Sequence, residues 1–218
     1  MKFKAVLFDF DGLMFDTEKV WQTYNNKANE VFNINFTEDD REKIAGKREP
    51  EIRAIIKEMF PMLDVDAYRE WLRSHVFEHQ KNGDVQAKLG LLELLAIIKE
   101  HNLFSAIVSG SEKEVIENML KKSNINIADF NTIISGDLNI KTKPAPDVYL
   151  LACKNLGIKP EEAIVLEDSH NGVRAGKYAG CFTIMIPDTM PLTEEIKQVA
   201  DLILHNLNKV VEFLKDKI

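Results

Sequence analysis

The chain is poor in the features that mark several protein classes. It has two cysteines in 218 residues, Cys153 and Cys181. Both fall in periodic apolar segments without a Cys-x-x-Cys spacing, so they read as buried reduced thiols and not as a disulfide framework or zinc site. No run of 18 apolar residues occurs, which gives no candidate membrane span. The apolar stretch before Asp9 is too short for a secretory signal, and a cytoplasmic location is the default expectation. There is no Lys/Arg cluster; 28 basic side chains stand against 35 acidic ones, a net charge of −7. That balance argues against a nucleic-acid-binding face and is read as ordinary solubility. Repeats and low-complexity segments are also missing. So is the Gly-x-Ser-x-Gly elbow with a histidine partner, and a serine nucleophile within Ser109-Gly110-Ser111 is rejected on that ground.

What remains is an ordinary globular composition, 45% hydrophobic and 29% charged, with length for a full core and nothing that demands more than a monomer. Apolar runs expected as buried strands recur at Val6–Phe10, Phe104–Val108, Thr132–Ile134, Ile164–Leu166 and Thr183–Ile186. Helical periodicity separates most of them, near 89–101, 111–122, 146–156, 171–178 and 207–215, with Gly157 and Gly180 as stops. This alternation implies an α/β fold, a Rossmann-like parallel sheet with helices on both faces.

One region breaks the alternation. From Thr17 to about Gly83 only helical spacing appears, through Val20, Tyr24, Ala28 and Val31, then Ile52, Ile55, Ile56 and Met59, then Tyr68, Leu72 and Val76. Thr37 and Asp40 have the spacing of a capping box. Residues 18–81 are therefore expected to form an all-helical insert in an α/β domain built from 1–17 and 82–218. The connections at Phe15–Thr17 and Lys81–Asp84 are hinge candidates, the second through the turn-like Asn82-Gly83.

The chemistry concentrates where strands end. In an open parallel sheet the carboxyl ends of the strands form the ligand crevice. There the sequence places Asp9 and Asp11, then Ser109-Gly110-Ser111, then Lys143 ahead of a helix, then Glu167-Asp168-Ser169. Two carboxylates about 4 Å apart repel by about 4 kcal/mol at an effective dielectric of ~20, so Asp9 and Asp11 call for a cation, a shared proton or solvent between them. Hard oxygen ligands at this density suit Mg²⁺. The residue types fit phosphoryl transfer: Asp9 attacks to give an aspartyl-phosphate, and Asp11 protonates the leaving alkoxide and later deprotonates the attacking water. Ser109, the backbone N–H groups at Gly110-Ser111 and the Lys143 ammonium supply an anion site.

These motifs, Asp9-Phe10-Asp11-Gly12, Ser109, Lys143-Pro144-Ala145-Pro146-Asp147 and Glu167-Asp168-Ser169, followed by Gly172, Ala175, Gly176 and Gly180, resemble in type and order those of the haloacid dehalogenase-like hydrolases, in the subgroup with a small helical cap. The resemblance implies that residues 18–81 are a cap domain and that Asp9 is the nucleophile. It further implies that Asp9, the Asp11 carbonyl and Asp168 ligate magnesium, with Glu167 joining directly or through water, and that Ser109, Gly110 and Lys143 hold phosphate. Asp11 favours phosphate chemistry, because the family's dehalogenases generally lack an acid/base there.

Gly46, Lys47 and Arg48 form a turn between two cap helices and are the candidates for substrate choice. Trp21 and Tyr24 are candidates for an apolar wall over the substrate, with core packing expected for at least one. His75-Val76-Phe77-Glu78-His79 matches a zinc pattern formally but offers no third ligand, and His170 either lines the site or only starts a helix. The expected function is magnesium-dependent hydrolysis of a small phosphorylated metabolite, a sugar or nucleoside phosphate. The first alternative is a phosphomutase of the β-phosphoglucomutase type, disfavoured because Trp21 and Ala45 stand where such mutases carry a histidine and a basic residue. The second is a non-catalytic phosphoryl-ligand binder.

Overall fold

The computed structural model describes residues 3–44 and 49–217. Six strands form one parallel sheet: β1 (Ala5–Phe8), β2 (Phe104–Val108), β3 (Thr132–Ile134), β4 (Ala163–Glu167), β5 (Phe182–Met185) and β6 (Leu202–Ile203), in the order β3-β2-β1-β4-β5-β6. The central strand pairs on both edges, Phe8 opposite Ile107 on one side and Leu166 on the other. Every residue of β1 and β4 is buried, as expected for strands covered on both faces. From β1 the chain runs out to β2 and β3, then returns to lay β4 on β1's other edge. The carboxyl end of β1 is thus where connections part in opposite directions, the position at which such sheets open a crevice.

The helices of the α/β unit are α5 (Leu91–Glu100), α6 (Lys113–Lys122), α7 (Asp147–Leu156), α8 (His170–Ala179), α9 (Glu194–Val199) and α10 (Leu207–Lys215); those of the insert are α1 (Thr17–Phe32), α2 (Glu38–Ile44), α3 (Glu49–Met59) and α4 (Val65–Asn82). Side chains alternate along a strand, and Ala5 and Leu7 of β1 face α7 and α8. There Ala152, Cys153, Ala175, Ala179 and Cys181 complete a core with Ala106, Val108 and Val165. The small alanines let these helices lie close on the sheet. Both cysteines are buried and unbridged. Gly157 and Gly180 end α7 and α8 in the left-handed conformation.

The sheet differs from the sequence reading at its margins. β1 stops at Phe8, so Phe10 lies beyond the strand, fully buried. The edge strand β6 has two residues and α9 has six, both too short for periodicity to register.

The chain separates into two compact units, Met1–Asp16 with Gln86–Ile218, and Thr17–Val85. Within the first, the segments flanking the insert are zipped together: the Asp16 N–H donates to the Gln86 carbonyl at 2.9 Å and the Lys88 N–H to that of Met14 at 2.8 Å. Within the second, α1 packs on α4, burying Val20 and Ala28 beside Tyr68, Leu72 and Val76. The capping box before α2 forms, the Thr37 N–H donating to Asp40 Oδ2 at 3.0 Å.

Candidate active site

Four strand-end segments of the α/β unit meet around Asp9. This residue directly follows β1, donates its N–H to the Leu166 carbonyl at 3.0 Å, and is 8% exposed. The chain then turns sharply through Gly12, whose φ of +81° is left-handed. A side chain at Gly12 would collide with the Asp168 carboxylate, so glycine here both permits the turn and admits that carboxylate. Asp168 follows β4, directly across from β1, and is likewise 8% exposed.

Lys143 ties this cluster together. Its ammonium lies 2.5 Å from Asp9 Oδ1 and 2.6 Å from Glu167 Oε1, and donates to the Val108 carbonyl at 2.9 Å. The Lys143–Pro144 peptide is cis. Burial alone would lower the Lys143 pKa; the charges of Asp9 and Glu167 override it and hold the ammonium above its ordinary range. Glu167 is fully buried. Its Oε1 also accepts the Tyr149 hydroxyl at 2.6 Å, and its Oε2 accepts the Ser169 N–H at 3.2 Å and hydroxyl at 3.0 Å. Gly172 leaves the room that this carboxylate occupies.

The sequence reading passed over Tyr149, which structurally belongs with these groups. It is fully buried on the first turn of α7, with its ring 5.2 Å beneath the Lys143 ammonium. Burial, and then the charges of Glu167 and Asp9, push its phenol well above the ordinary range, so it keeps its proton and donates a hydrogen bond. The only signal in the sequence is a tyrosine in an otherwise aliphatic helical stripe three residues after Pro146.

On the opposite flank, the segment after β2 carries Ser109, whose N–H bonds to the Ile134 carbonyl at 2.9 Å. Gly110 is exposed. The expected helix start at this point is displaced: α6 begins at Lys113, whose N–H is taken by Asp137 Oδ2 at 3.0 Å. The Ser111 N–H goes to Ser109 Oγ at 2.9 Å. Both hydroxyls, Ser109 at 3.1 Å and Ser111 at 2.6 Å, donate to Asp11 Oδ2. That role of the Ser111 side chain is also absent from the sequence reading.

Electrostatically the cluster is under-compensated. Burial pushes the Asp9 carboxyl up to about 8 against the pull of Lys143, with Glu167 and Asp11 adding to the rise. Asp9, Glu167 and Asp168 each offer a carboxylate oxygen, and these lie within 4.8 Å of one another. Three hard donors, no sulfur or imidazole among them, and one ammonium to balance them with Asp11 are the donor set and charge that fit a divalent cation of the magnesium type.

Other sequence candidates have different surroundings. His75 stacks on Trp71 at 3.9 Å and its Nδ1 faces the Trp71 carbonyl at 2.7 Å. His79 packs edge-on to Tyr24 at 5.6 Å, and among the described residues no metal-ligand group includes either histidine. Tyr24 is thus engaged in the packing of α1 on α4. His170 opens α8, its Nε2 3.0 Å from the Pro191 carbonyl. Gly46, Lys47 and Arg48 lie outside the described residues. No described helix is long and apolar enough to cross a membrane.

Comparison with known proteins gives a consistent picture. The family model for haloacid dehalogenase-like hydrolases matches residues 6–186. A phosphorylated carbohydrates phosphatase of Thermotoga maritima is 29% identical over 180 residues, 81% of this chain and 82% of that protein. A probable pseudouridine-5'-phosphatase of Saccharomyces cerevisiae is 31% identical over 196 residues, covering 84% and 82%. The β-phosphoglucomutase of Bacillus subtilis is 28% identical over 222 residues, covering 94% of each.

Proposed function

The chain belongs to the haloacid dehalogenase-like hydrolases, and we propose that it is a magnesium-dependent phosphatase of small phosphomonoesters, sugar or nucleoside phosphates, working through an aspartyl-phosphate on Asp9. The observation that carries this reading is the convergence of Asp9, Lys143, Glu167 and Asp168 at the carboxyl ends of β1 and β4, with two hydroxyl donors on the neighbouring loop. The phosphatases of Thermotoga maritima and Saccharomyces cerevisiae support the substrate class.

In this reading Asp9 attacks phosphorus with one carboxylate oxygen while Asp11 protonates the departing alkoxide. Asp11 then takes a proton from the water that attacks the acyl phosphate, releasing phosphate and restoring Asp9. Ser109 and Lys143 hold the phosphoryl oxygens. Asp9, the Asp11 carbonyl and Asp168 would hold the magnesium, which would supply positive charge to the site. Glu167, with Lys143, Tyr149 and Ser169 on its two oxygens, positions Lys143 and would join the cation directly or through water. The helical unit serves as the cap, with Gly46, Lys47 and Arg48 choosing the substrate. Replacing Lys47 or Arg48 with Ala then lowers turnover of the natural substrate more than that of a small aryl phosphate, and an equal loss with both removes the turn from substrate choice.

The mutase reading stands second, supported by the similarity to the β-phosphoglucomutase of Bacillus subtilis along nearly the full length of both chains. Phosphate release from a panel of sugar, nucleoside and small-acid phosphates, with Mg²⁺ or chelator, tests the two together if glucose 1- and 6-phosphate interconversion is followed as well. Magnesium-dependent release from one compound class supports the phosphatase; interconversion without release replaces it with the mutase.

A further inference from the structure

Ser111 has a bond that neither general phosphate binding nor loop architecture requires. The loop itself is fixed by its backbone: the Ser109 N–H on Ile134, the Gly136 N–H on the Ser111 carbonyl at 2.8 Å, and Gly136 packed so closely on the Gly110 carbonyl that a side chain there would collide with it. On this rigid platform two hydroxyls send their protons to one oxygen, Asp11 Oδ2. The contact from Ser111, at 2.6 Å, is much the shorter. Asp11 is separated from these serines by 98 and 100 residues, so the contact is a product of the tertiary fold and not of local turn chemistry.

A serine hydroxyl has a single proton to give. With its lone pair accepting the Ser111 N–H, Ser109 donates either to Asp11 or to an incoming phosphoryl oxygen, and binding of the anion takes that proton from Asp11. Ser111 keeps its own bond to Asp11. We propose that Ser111 is a positioning residue for Asp11: its hydroxyl keeps the acid/base carboxylate beside the phosphate loop after Ser109 has turned to substrate. The proposal rests on the reading of residues 109–111 as the phosphate loop and adds a role that this reading does not contain. Holding the Asp11 carboxyl there opposes phosphate binding while the group is ionised, because like charges repel, and keeps it within reach of the leaving oxygen when it carries the proton. Ser111 therefore trades anion affinity for rate.

Calorimetric titration with inorganic phosphate, Mg²⁺ present, together with steady-state kinetics on a small aryl phosphate, tests this. Ser111→Ala is expected to bind phosphate about three- to tenfold more tightly, the range set by the net contribution of one ordinary hydrogen bond. Its kcat and KM fall together, kcat by about tenfold as the proton donor loses its place. Ser111→Thr, which keeps the hydroxyl, restores both. In an Asp11→Asn background Ser111→Ala changes phosphate affinity by less than about twofold, since no charge is left to position. Weaker phosphate binding on Ser111→Ala in both backgrounds would make Ser111 a plain phosphate ligand and overturn the proposal, as would unchanged affinity and kcat. Failure of the unmutated protein to bind phosphate at all would instead overturn the phosphate-loop reading, and the proposal with it.

Discussion

Two charge clusters, one in each unit, have opposite balances. In the helical unit one carboxylate, Glu49, serves three guanidinium groups, of which Arg53 also meets Asp66 at 2.5 Å. Arg69 approaches Glu49 with Nε at 3.1 Å and Nη2 at 2.8 Å, Arg53 with Nε at 3.0 Å and Arg73 with Nη1 at 3.4 Å. At the strand ends a single ammonium, Lys143, stands among Asp9, Glu167, Asp11 and Asp168. The pKa shifts separate the two. Burial would push Glu49 up, but Arg69, followed by Arg73 and Arg53, holds it below its ordinary 4.5. Asp9 is driven the other way, to about 8. A cluster whose internal partners stabilise its charge reads as structural; one whose charge its own partners cannot support reads as a binding site, in the proposed function for a cation and a phosphoryl group.

Substitutions that remove one carboxylate from each cluster should break this comparison if it is wrong. The largest effect is expected at Asp9→Asn, which removes the attacking oxygen: turnover falls by at least about a thousandfold, while the urea midpoint holds or rises because a poorly supported charge is gone. A clear drop in the midpoint would mean that the strand-end charge is structural after all.

Glu49→Gln is expected to do the reverse. It leaves the nearly buried Arg69 without its anion and costs about 2 kcal/mol in urea unfolding, below the range for fully buried pairs because the Glu49 side chain is 27% exposed. Turnover of a small aryl phosphate should stay near normal. Because the folded-state pKa of Glu49 lies below the unfolded value, this carboxylate's contribution is present above pH 4.5 and is lost as pH falls through the folded value. The stability difference between the original protein and Glu49→Gln should therefore shrink below pH 4.5, and a difference that persists there would place its origin outside the ionised pair.

The smallest effect sharpens the strand-end side. Tyr149→Phe keeps the ring under Lys143 and removes the hydroxyl bond to Glu167, at a cost of about 1–2 kcal/mol in stability. The apparent Mg²⁺ affinity, read from the cation's effect on melting temperature, should weaken by about tenfold, the lower end of what loss of a group supporting a metal ligand costs. Normal Mg²⁺ affinity would leave Tyr149 with a packing role alone.

What could be read from the sequence divides along the same physical line. Ala5–Phe8, Phe104–Val108 and Ala163–Glu167 announce themselves as nearly continuous apolar runs, the pattern of strands covered on both faces. Once the strands are placed, the polar residues that terminate them, Asp9, Ser109 and Asp168, follow. Leu202–Ile203 does not announce itself, because a two-residue edge strand has no period to detect. Tyr149 and the Ser111 hydroxyl were hidden for a different reason. Each acts through a hydrogen bond to a side chain far away in the chain, Glu167 and Asp11, and such a contact depends on rotamers and packing that no local pattern encodes.

The central claim is that Asp9 carries the phosphoryl group, and covalent trapping tests it most directly. During turnover with Mg²⁺, borohydride quenching reduces an aspartyl-phosphate to homoserine, which peptide mass spectrometry can place. The account predicts homoserine at position 9, lost with chelator and absent from Asp9→Asn. Continued turnover with Asp9 unmodified, or homoserine at another aspartate, would contradict it.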